Sequence, residues 1–405
     1  MKNYIVLTES IAMLRSFARF LFALSIVFST PAFSQNPVDQ SSRTYRELDQ
    51  AYEESRAAYS AGHFEQALRI TNDTLSLAER ELGRDHPDTL TFLSNLAFLS
   101  DKAGLLHQAE ALHLRVIEVS ERVLGVEHPE TLVSINNLAL HYYGSAQYSK
   151  AEPRLLRVVE VGERVLGQED PKIITWKSNL GNFYLTTGRI TTAEPLLRRV
   201  VELSERAFGV ENEATIINVA NLGVFLYQTG RHSEAEILLQ RAFGQSERLS
   251  GTEHPNTLSM ANNIATLYRD TGRLTEAGDI LRQVLFATER ALGPQHPHTI
   301  GSVNNLAELY SAVGRYRESE ELQRRALASS EKILGHDHPE TVSSADNLGY
   351  LLYLDGRYHE AVPILRSALL AARDGALGRY HPRTLGVANN LFLVEAQQMQ
   401  IAAAT

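Results

Sequence analysis

The sequence predicts an all-α fold, an α-α superhelix in which helical hairpins repeat in tandem. Three observations predict it. The first is a motif running from glycine to threonine, Gly83-Arg84-Asp85-His86-Pro87-Asp88-Thr89, that returns as Gly125-Val126-Glu127-His128-Pro129-Glu130-Thr131. It returns again from Gly167, Gly209, Gly251, Gly293 and Gly335, each 42 residues on, and a last time from Gly378, 43 on. The second is a pair of apolar patterns within each period, both fitting a 3.6-residue turn and neither fitting the alternation of a strand. The third is a glycine between the two patterns, as at Gly104, Gly188 and Gly230. A period of roughly 20–50 residues marks a stack of supersecondary units, each covering its neighbour's apolar face.

Composition supports a folded chain and removes several chemistries. The 405 residues carry a formal charge of −9 and contain no cysteine. Disulfides, thiolate nucleophiles and cysteine-based metal sites are thereby excluded. An acidic balance argues against nucleic acid as a partner, which calls for a basic footprint.

The first element is expected to be a targeting segment. Arg15 and Arg19 precede the apolar run 20–28, followed by Pro31 and the small-residue site Ala32-Phe33-Ser34. This reads as a signal peptide over 1–34, cleaved after Ser34, with Met1 or Met13 as the start. The run is short for a membrane span, so no stable membrane insertion is expected after cleavage. Removing it takes away three basic residues and one acidic residue and leaves −11. Residues 35–43 read as a polar linker, and 44–400 as a solenoid of about eight hairpins plus a C-terminal helix near 382–399.

Within a hairpin, the first helix starts at the motif proline, whose missing N–H costs nothing at that position. The preceding residue is then the N-cap: histidine at 86, 128, 254, 296, 338 and 381, Asp170 and Asn212 in the other copies. Histidines one per repeat at helix starts are not a metal set, and no metal or other cofactor is expected. Ser149 with Glu152, Thr191 with Glu194 and Ser233 with Glu236 read as capping boxes of the second helix. Pro153, Pro195 and Pro363 read as first-turn prolines. Small residues (Ala97, Ala139, Gly181, Gly223, Ala265, Ala307 and Gly349) are expected to meet partners such as Ala109, Ala151 and Ala235 where the helices approach. At the ends, Glu54 replaces the core leucine, and Phe392 is expected to fill the space of a missing partner helix.

The core set Leu138-Ala139, Tyr142, Ala151 and Leu155 resembles the tetratricopeptide repeat. The fuller pattern, seen from Asn304-Asn305-Leu306-Ala307 to Thr341, is similar to the 42-residue repeats of kinesin light chains and their bacterial relatives. The resemblance covers about 44–400 and implies a right-handed superhelix whose first helices line a concave groove. It also implies a peptide or protein as the partner. The heptad coiled coil by which kinesin light chains join a motor is missing, so a motor role is not expected.

One polar position recurs in seven repeats: Asn95, Asn137, Asn179, Asn221, Asn263, Asn305 and Asn347, continued by Asn390. The position before it is often asparagine too, at Asn136, Asn262, Asn304 and Asn389. An amide offers donors and an acceptor together, and the resemblance implies that a row of them grips the backbone of an extended peptide. Bonds between neighbouring repeats are the competing reading. Leu140, Trp176, Asn182, Met260 and Tyr350 are expected to supply side-chain pockets beside the row.

No phosphate loop and no Ser–His–Asp set stands apart from the repeat pattern, so no catalytic residue and no enzyme is expected. Three function classes follow: an exported scaffold, periplasmic or secreted and in its simplest state a monomer, that binds a peptide or protein; an assembly subunit stacking through its ends; and an accessory protein of a larger enzyme system.

Overall fold

The computed structural model describes residues 43–375 and 377–404. The expected signal peptide and all but the last residue of the expected linker lie outside the described residues. Seventeen α-helices are present among them. They are α1 (Arg43–Ser60), α2 (Phe64–Glu81), α3 (Pro87–Lys102), α4 (Leu106–Val123), α5 (Pro129–Gly144), α6 (Tyr148–Leu166) and α7 (Pro171–Thr186). Then follow α8 (Ile190–Phe208), α9 (Glu213–Gln228), α10 (His232–Ser250), α11 (Pro255–Asp270) and α12 (Leu274–Leu292). The chain continues through α13 (Pro297–Ala312), α14 (Tyr316–Leu334), α15 (Pro339–Leu354), α16 (Tyr358–Asp374) and α17 (Pro382–Ala404). The chain forms two compact units that meet in sequence at Phe183 and Tyr184, inside α7. Each unit is a tandem-repeat α-α solenoid, and no strand occurs among the described residues.

The repeat motif works as a helix-start device. The histidine caps accept the backbone N–H two residues on through Nδ1, at 3.1–3.3 Å, in all six copies. Asp170 does the same for Lys172 at 2.8 Å, and Asn212 for Ala214 at 2.9 Å. Three residue types thus serve one orphan donor of the first turn. The motif threonine closes the loop from the other side: the hydroxyls of Thr89, Thr131, Thr299 and Thr384 donate to the carbonyl of their motif glycine at 2.8 Å. The turn glycine is required by conformation, with φ of +74° at Gly104 and +77° at Gly188. Ala146 holds the same left-handed backbone at φ +58°, the one non-glycine residue to do so among those described.

Two helices of a hairpin have different neighbours. From α3 to α5 and from α9 to α15, each first helix packs against the second helix of its own hairpin and of the one before, and α9, α11 and α13 also touch in succession. Accordingly α9 buries eleven residues and α10 only five. First helices are therefore the inner layer, and second helices keep one face in solvent.

The closest approach within each hairpin is made by side chains of a methyl group or less. Ala97, Ala139, Ala265 and Ala307 are wholly buried, as are Ala109, Ala151, Ala235 and Ala277. A Cβ at Gly349 would lie 2.4 Å from Leu365 Cγ, and one at Gly223 would lie 2.9 Å from Leu239 Cγ. Where serine stands in, its hydroxyl is satisfied locally: Ser319 donates to the Ala307 carbonyl at 2.7 Å.

Three local expectations are corrected. The second helices begin at Tyr148, Ile190 and His232, one residue before the expected serine or threonine cap, and their N-caps Gln147, Arg189 and Arg231 make no side-chain cap. Two of the three expected capping-box glutamates serve the next repeat instead. Glu194 receives Arg231 at 2.5 Å, and Glu236 receives Arg273 at 2.6 Å. Pro153, Pro195 and Pro363 fall at the sixth residue of their helices, beyond the first turn, where each removes one i→i−4 bond. Phe392 does not fill a vacant helix position; its ring is 67 % exposed. Glu54 is exposed as well, and α1 is held instead by Leu48, Tyr52, Ser55 and Ala58.

Gly349→Ala is expected to destabilise the chain by about 1–3 kcal/mol, because the added methyl overlaps the Leu365 branch point. Gly386→Ala, in open space on α17, should be neutral or stabilising by up to about 1 kcal/mol. Urea denaturation of the two variants checks the contrast.

Candidate functional site

The inner helices place the asparagine row at the joints between repeats. Asn179 Nδ2 donates to Asn136 Oδ1 at 3.1 Å, from α7 to α5. Asn305 Nδ2 donates to Asn262 Oδ1 at 3.1 Å, from α13 to α11. In α17, Asn390 Nδ2 donates to Asp346 Oδ1 of α15 at 2.9 Å. The rule is the same each time: the row residue of one repeat reaches the residue preceding the row in the repeat before. Asn95, Asn221 and Asn263 are buried, and Asn137 and Asn347 are half-buried.

The rule also predicts where a rung fails. Asn263 would reach position 220, which is alanine, and Asn263 Nδ2 is buried with no partner among the described residues. Asn304 Oδ1 is also buried and unpartnered among the described residues, although the same rule would give it Asn347 as donor. The row is therefore partly an inter-repeat device and partly open, with one free donor and one free acceptor on α11 and α13.

The expected side-chain pockets divide into two groups. Leu140, Trp176 and Met260 are buried, at 6 %, 3 % and 1 % exposure. Trp176 packs with Leu132, Ile135, Val158 and Ile173, and its ring lies 2.6 Å from where a Cβ on Gly162 would sit. It fills a helix–helix contact rather than lining a groove. Asn182 and Tyr350 are half-exposed, and the Tyr350 ring lies 5.9 Å from that of Tyr353.

A charged network absent from the sequence reading lies on the same inner layer. Arg269, its side chain 8 % exposed, meets Glu308 at 3.0 Å and Asp270 at 2.9 Å, and Tyr227 donates its hydroxyl to Asp270. Burial raises the Glu308 carboxyl above its ordinary value, and the neighbouring Arg269 only partly opposes that. The available signal was register: Arg269 stands one period after Tyr227 and two after Leu185, at a position otherwise aromatic or aliphatic in most repeats.

These features define a class: a scaffold of stacked two-helix repeats whose inner layer carries the polar groups. The tetratricopeptide-repeat family profile matches residues 91–164, 172–244, 213–285 and 299–374, and a second profile of that repeat matches 55–88. The chain belongs to the tetratricopeptide-repeat family. Its fold is also seen in the apo form of RapI, at 13 % identity over 72 % of this chain and 99 % of that one, with a TM-score of 0.52. The nearly identical TPR-like repeats of a candidate kinesin light chain from Podosopora anserina match at 25 % identity over 51 % of this chain and 98 % of theirs, with a TM-score of 0.43. BtubC from P. vanneervenii matches at 19 % over 56 % and 91 %, with a TM-score of 0.47. No curated protein matches. No helix of the described residues is long and apolar enough to cross a membrane.

Asp346 yields a test of the row. Enclosure lifts its carboxyl to about 6, although the Asn390 hydrogen bond pulls the other way. The folded state then holds the proton more tightly than the unfolded chain, where the value is near 3.9. Ionising Asp346 therefore costs stability as pH rises through about 4–6, and the cost is absent below that window. Asp346→Asn keeps the acceptor for Asn390 and should stabilise by about 1 kcal/mol near neutral pH, with no gain near pH 4. Thermal melts at the two pH values check it.

Proposed function

We propose that the chain is a non-enzymatic scaffold that binds an extended peptide, or an extended segment of a protein, along its inner helices. The observation that carries this reading is the open part of the asparagine row. A peptide group presents one C=O and one N–H, and Asn263 Nδ2 and Asn304 Oδ1 are the complementary donor and acceptor, each without a partner among the described residues. Both atoms are enclosed, so binding requires each amide to turn about its side-chain torsions. Recognition led by backbone groups, with half-exposed Asn182 and Tyr350 beside the row, suits a neutral or mildly basic segment meeting an acidic chain.

The test starts from a displayed library of random peptides selected against the full chain. Asn263→Ala and Asn304→Ala should each weaken the selected peptide by about 0.5–1.5 kcal/mol, roughly two- to twelvefold in Kd, with the melting temperature unchanged. A lowered melting temperature with unchanged Kd would assign the row to repeat joining alone.

A second reading has its own support. Leu385, Phe392 and Met399 recur at seven-residue spacing on α17 and are 54 %, 67 % and 71 % exposed. Such a stripe suits assembly through the end of the solenoid. A solution mass of a multimer that Phe392→Ser returns to monomer would favour this reading over peptide capture.

The scaffold is proposed to act after export, in the periplasm or as a secreted chain. The basic residues, apolar run and small-residue site of 1–34 support this. Sequencing the N-terminus of chain recovered outside the cytoplasm should give Gln35 first. A mature chain retaining 20–28 would refute cleavage.

A further inference from the structure

The second hairpin and the first helix of the third carry a side-chain cluster found at no other joint among the described residues. Asp101 at the end of α3 accepts from His113 of α4 at 2.9 Å (Nε2 to Oδ2) and from His141 of α5 at 2.6 Å (Nδ1 to Oδ1). One candidate ligand atom from each of the three residues lies within 4.8 Å of the other two. The side chains of His141, His113 and Asp101 are 1 %, 6 % and 21 % exposed.

The repeat supplies its own comparison. One, two and three periods after His141 stand Phe183, Phe225 and Leu267, and after His113 stand Leu155, Leu197 and Leu239. All six are core residues with 1 % exposure or less. At this joint alone, two apolar core positions hold imidazoles, and a carboxylate stands between them. That exchange is unfavourable unless the polar groups find partners.

The cluster does not satisfy itself. The Asp101 carboxylate, its side chain 21 % exposed, takes both imidazoles. If both rings are neutral, each must donate its single N–H to that carboxylate, which leaves the other nitrogen of His141 as a bare lone pair. That atom, His141 Nε2, is buried with no partner among the described residues. A divalent cation among the three side chains would take a carboxylate oxygen and one nitrogen lone pair from each ring.

We propose that Asp101, His113 and His141 bind a divalent first-row transition metal ion, with zinc as the preferred occupant. Two imidazoles and a carboxylate without sulfur form a donor set suited to zinc, at about 2.0–2.2 Å per ligand, with the fourth position left for water. The partial exposure of Asp101 gives the ion a way in. Beside the site, Glu110 accepts from the Tyr142 hydroxyl at 2.8 Å and from Lys150 at 3.1 Å. The three ligands come from α3, α4 and α5, so the ion would clamp one hairpin to the first helix of the next. The tie would add stability at one joint of an otherwise apolar stack.

The experiment titrates zinc chloride into the full chain after chelator treatment, by calorimetry, with cobalt(II) absorption as a spectroscopic readout. The wild type should bind about one equivalent and give intense visible bands of a four- or five-coordinate cobalt site. His113→Leu and His141→Leu each restore the residue type of sibling repeats, so both should fold with unchanged helix content. Each should weaken binding at least about a hundredfold and lose the cobalt bands. Two results would overturn the proposal: no saturable zinc binding by the wild type, or wild-type zinc affinity in both leucine variants.

Discussion

Hairpin after hairpin closes on a contact between small side chains, a hydrogen, a methyl or, at Ser55 and Ser319, a hydroxymethyl, and the rest of the structure depends on that limit. With Ala139 and Ala151 both wholly buried, two helices approach closely enough for the larger residues on either side, such as Leu138 and Leu155, to interlock. The same kind of contact recurs because the same residues recur every 42 positions. Glycine at 223 and 349 tightens the contact further, since the space of a Cβ there is already occupied by Leu239 and Leu365. A repeat array gains stability only from its own hairpins and their nearest neighbours, so no distant contact can compensate for a joint that is opened.

This constraint explains why so much of the fold was legible. Helix starts, turn glycines and close contacts are set by residues within one period, and repetition separates them from chance. The histidine caps illustrate it: their equivalence to Asp170 and Asn212 follows from alignment within the chain, and the hydrogen bonds bear it out. What could not be read depends on neighbours across the joint. Ser149 and Glu152 have the spacing of a capping box, yet at the equivalent position of the next two repeats the glutamate is drawn away by an arginine about 37 residues later. Trp176 has helical spacing compatible with either an inner face or a core. The missing side chain at Gly162 decides for the core, and that glycine lies on another helix.

The asparagine row shows how one residue can serve structure and recognition in different repeats. A mid-helix asparagine is intrinsically poor, since its amide competes for backbone groups. The row is tolerated where the preceding repeat supplies an acceptor, as Asn136 and Asn262 do. It carries an unmet donor where that acceptor is Ala220. Sequence showed the row itself but could not show which rungs close, because closure depends on a residue 43 positions away and on the rotation between two helices. Asn263 and Asn304 lie on α11 and α13, the helices that also carry the Arg269–Glu308 pair, which concentrates polar character in one stretch of the inner layer.

A periodic chain therefore carries its own reference for locating function. Residues that obey the period are accounted for by packing, capping or turn geometry, and what they do is done in every repeat. Departures from the period need a local reason. Ala146 departs at the cost of a left-handed backbone, and Asp346 departs at the cost of an enclosed carboxylate. Asp101, His113 and His141 depart together, from three helices, and their side chains converge on one point. Independent drift in three core positions would leave three separate defects. Convergence on one shared carboxylate is what a selected site would produce, and the spacings of 12 and 28 residues, which match no local motif, explain why only the folded chain displays it.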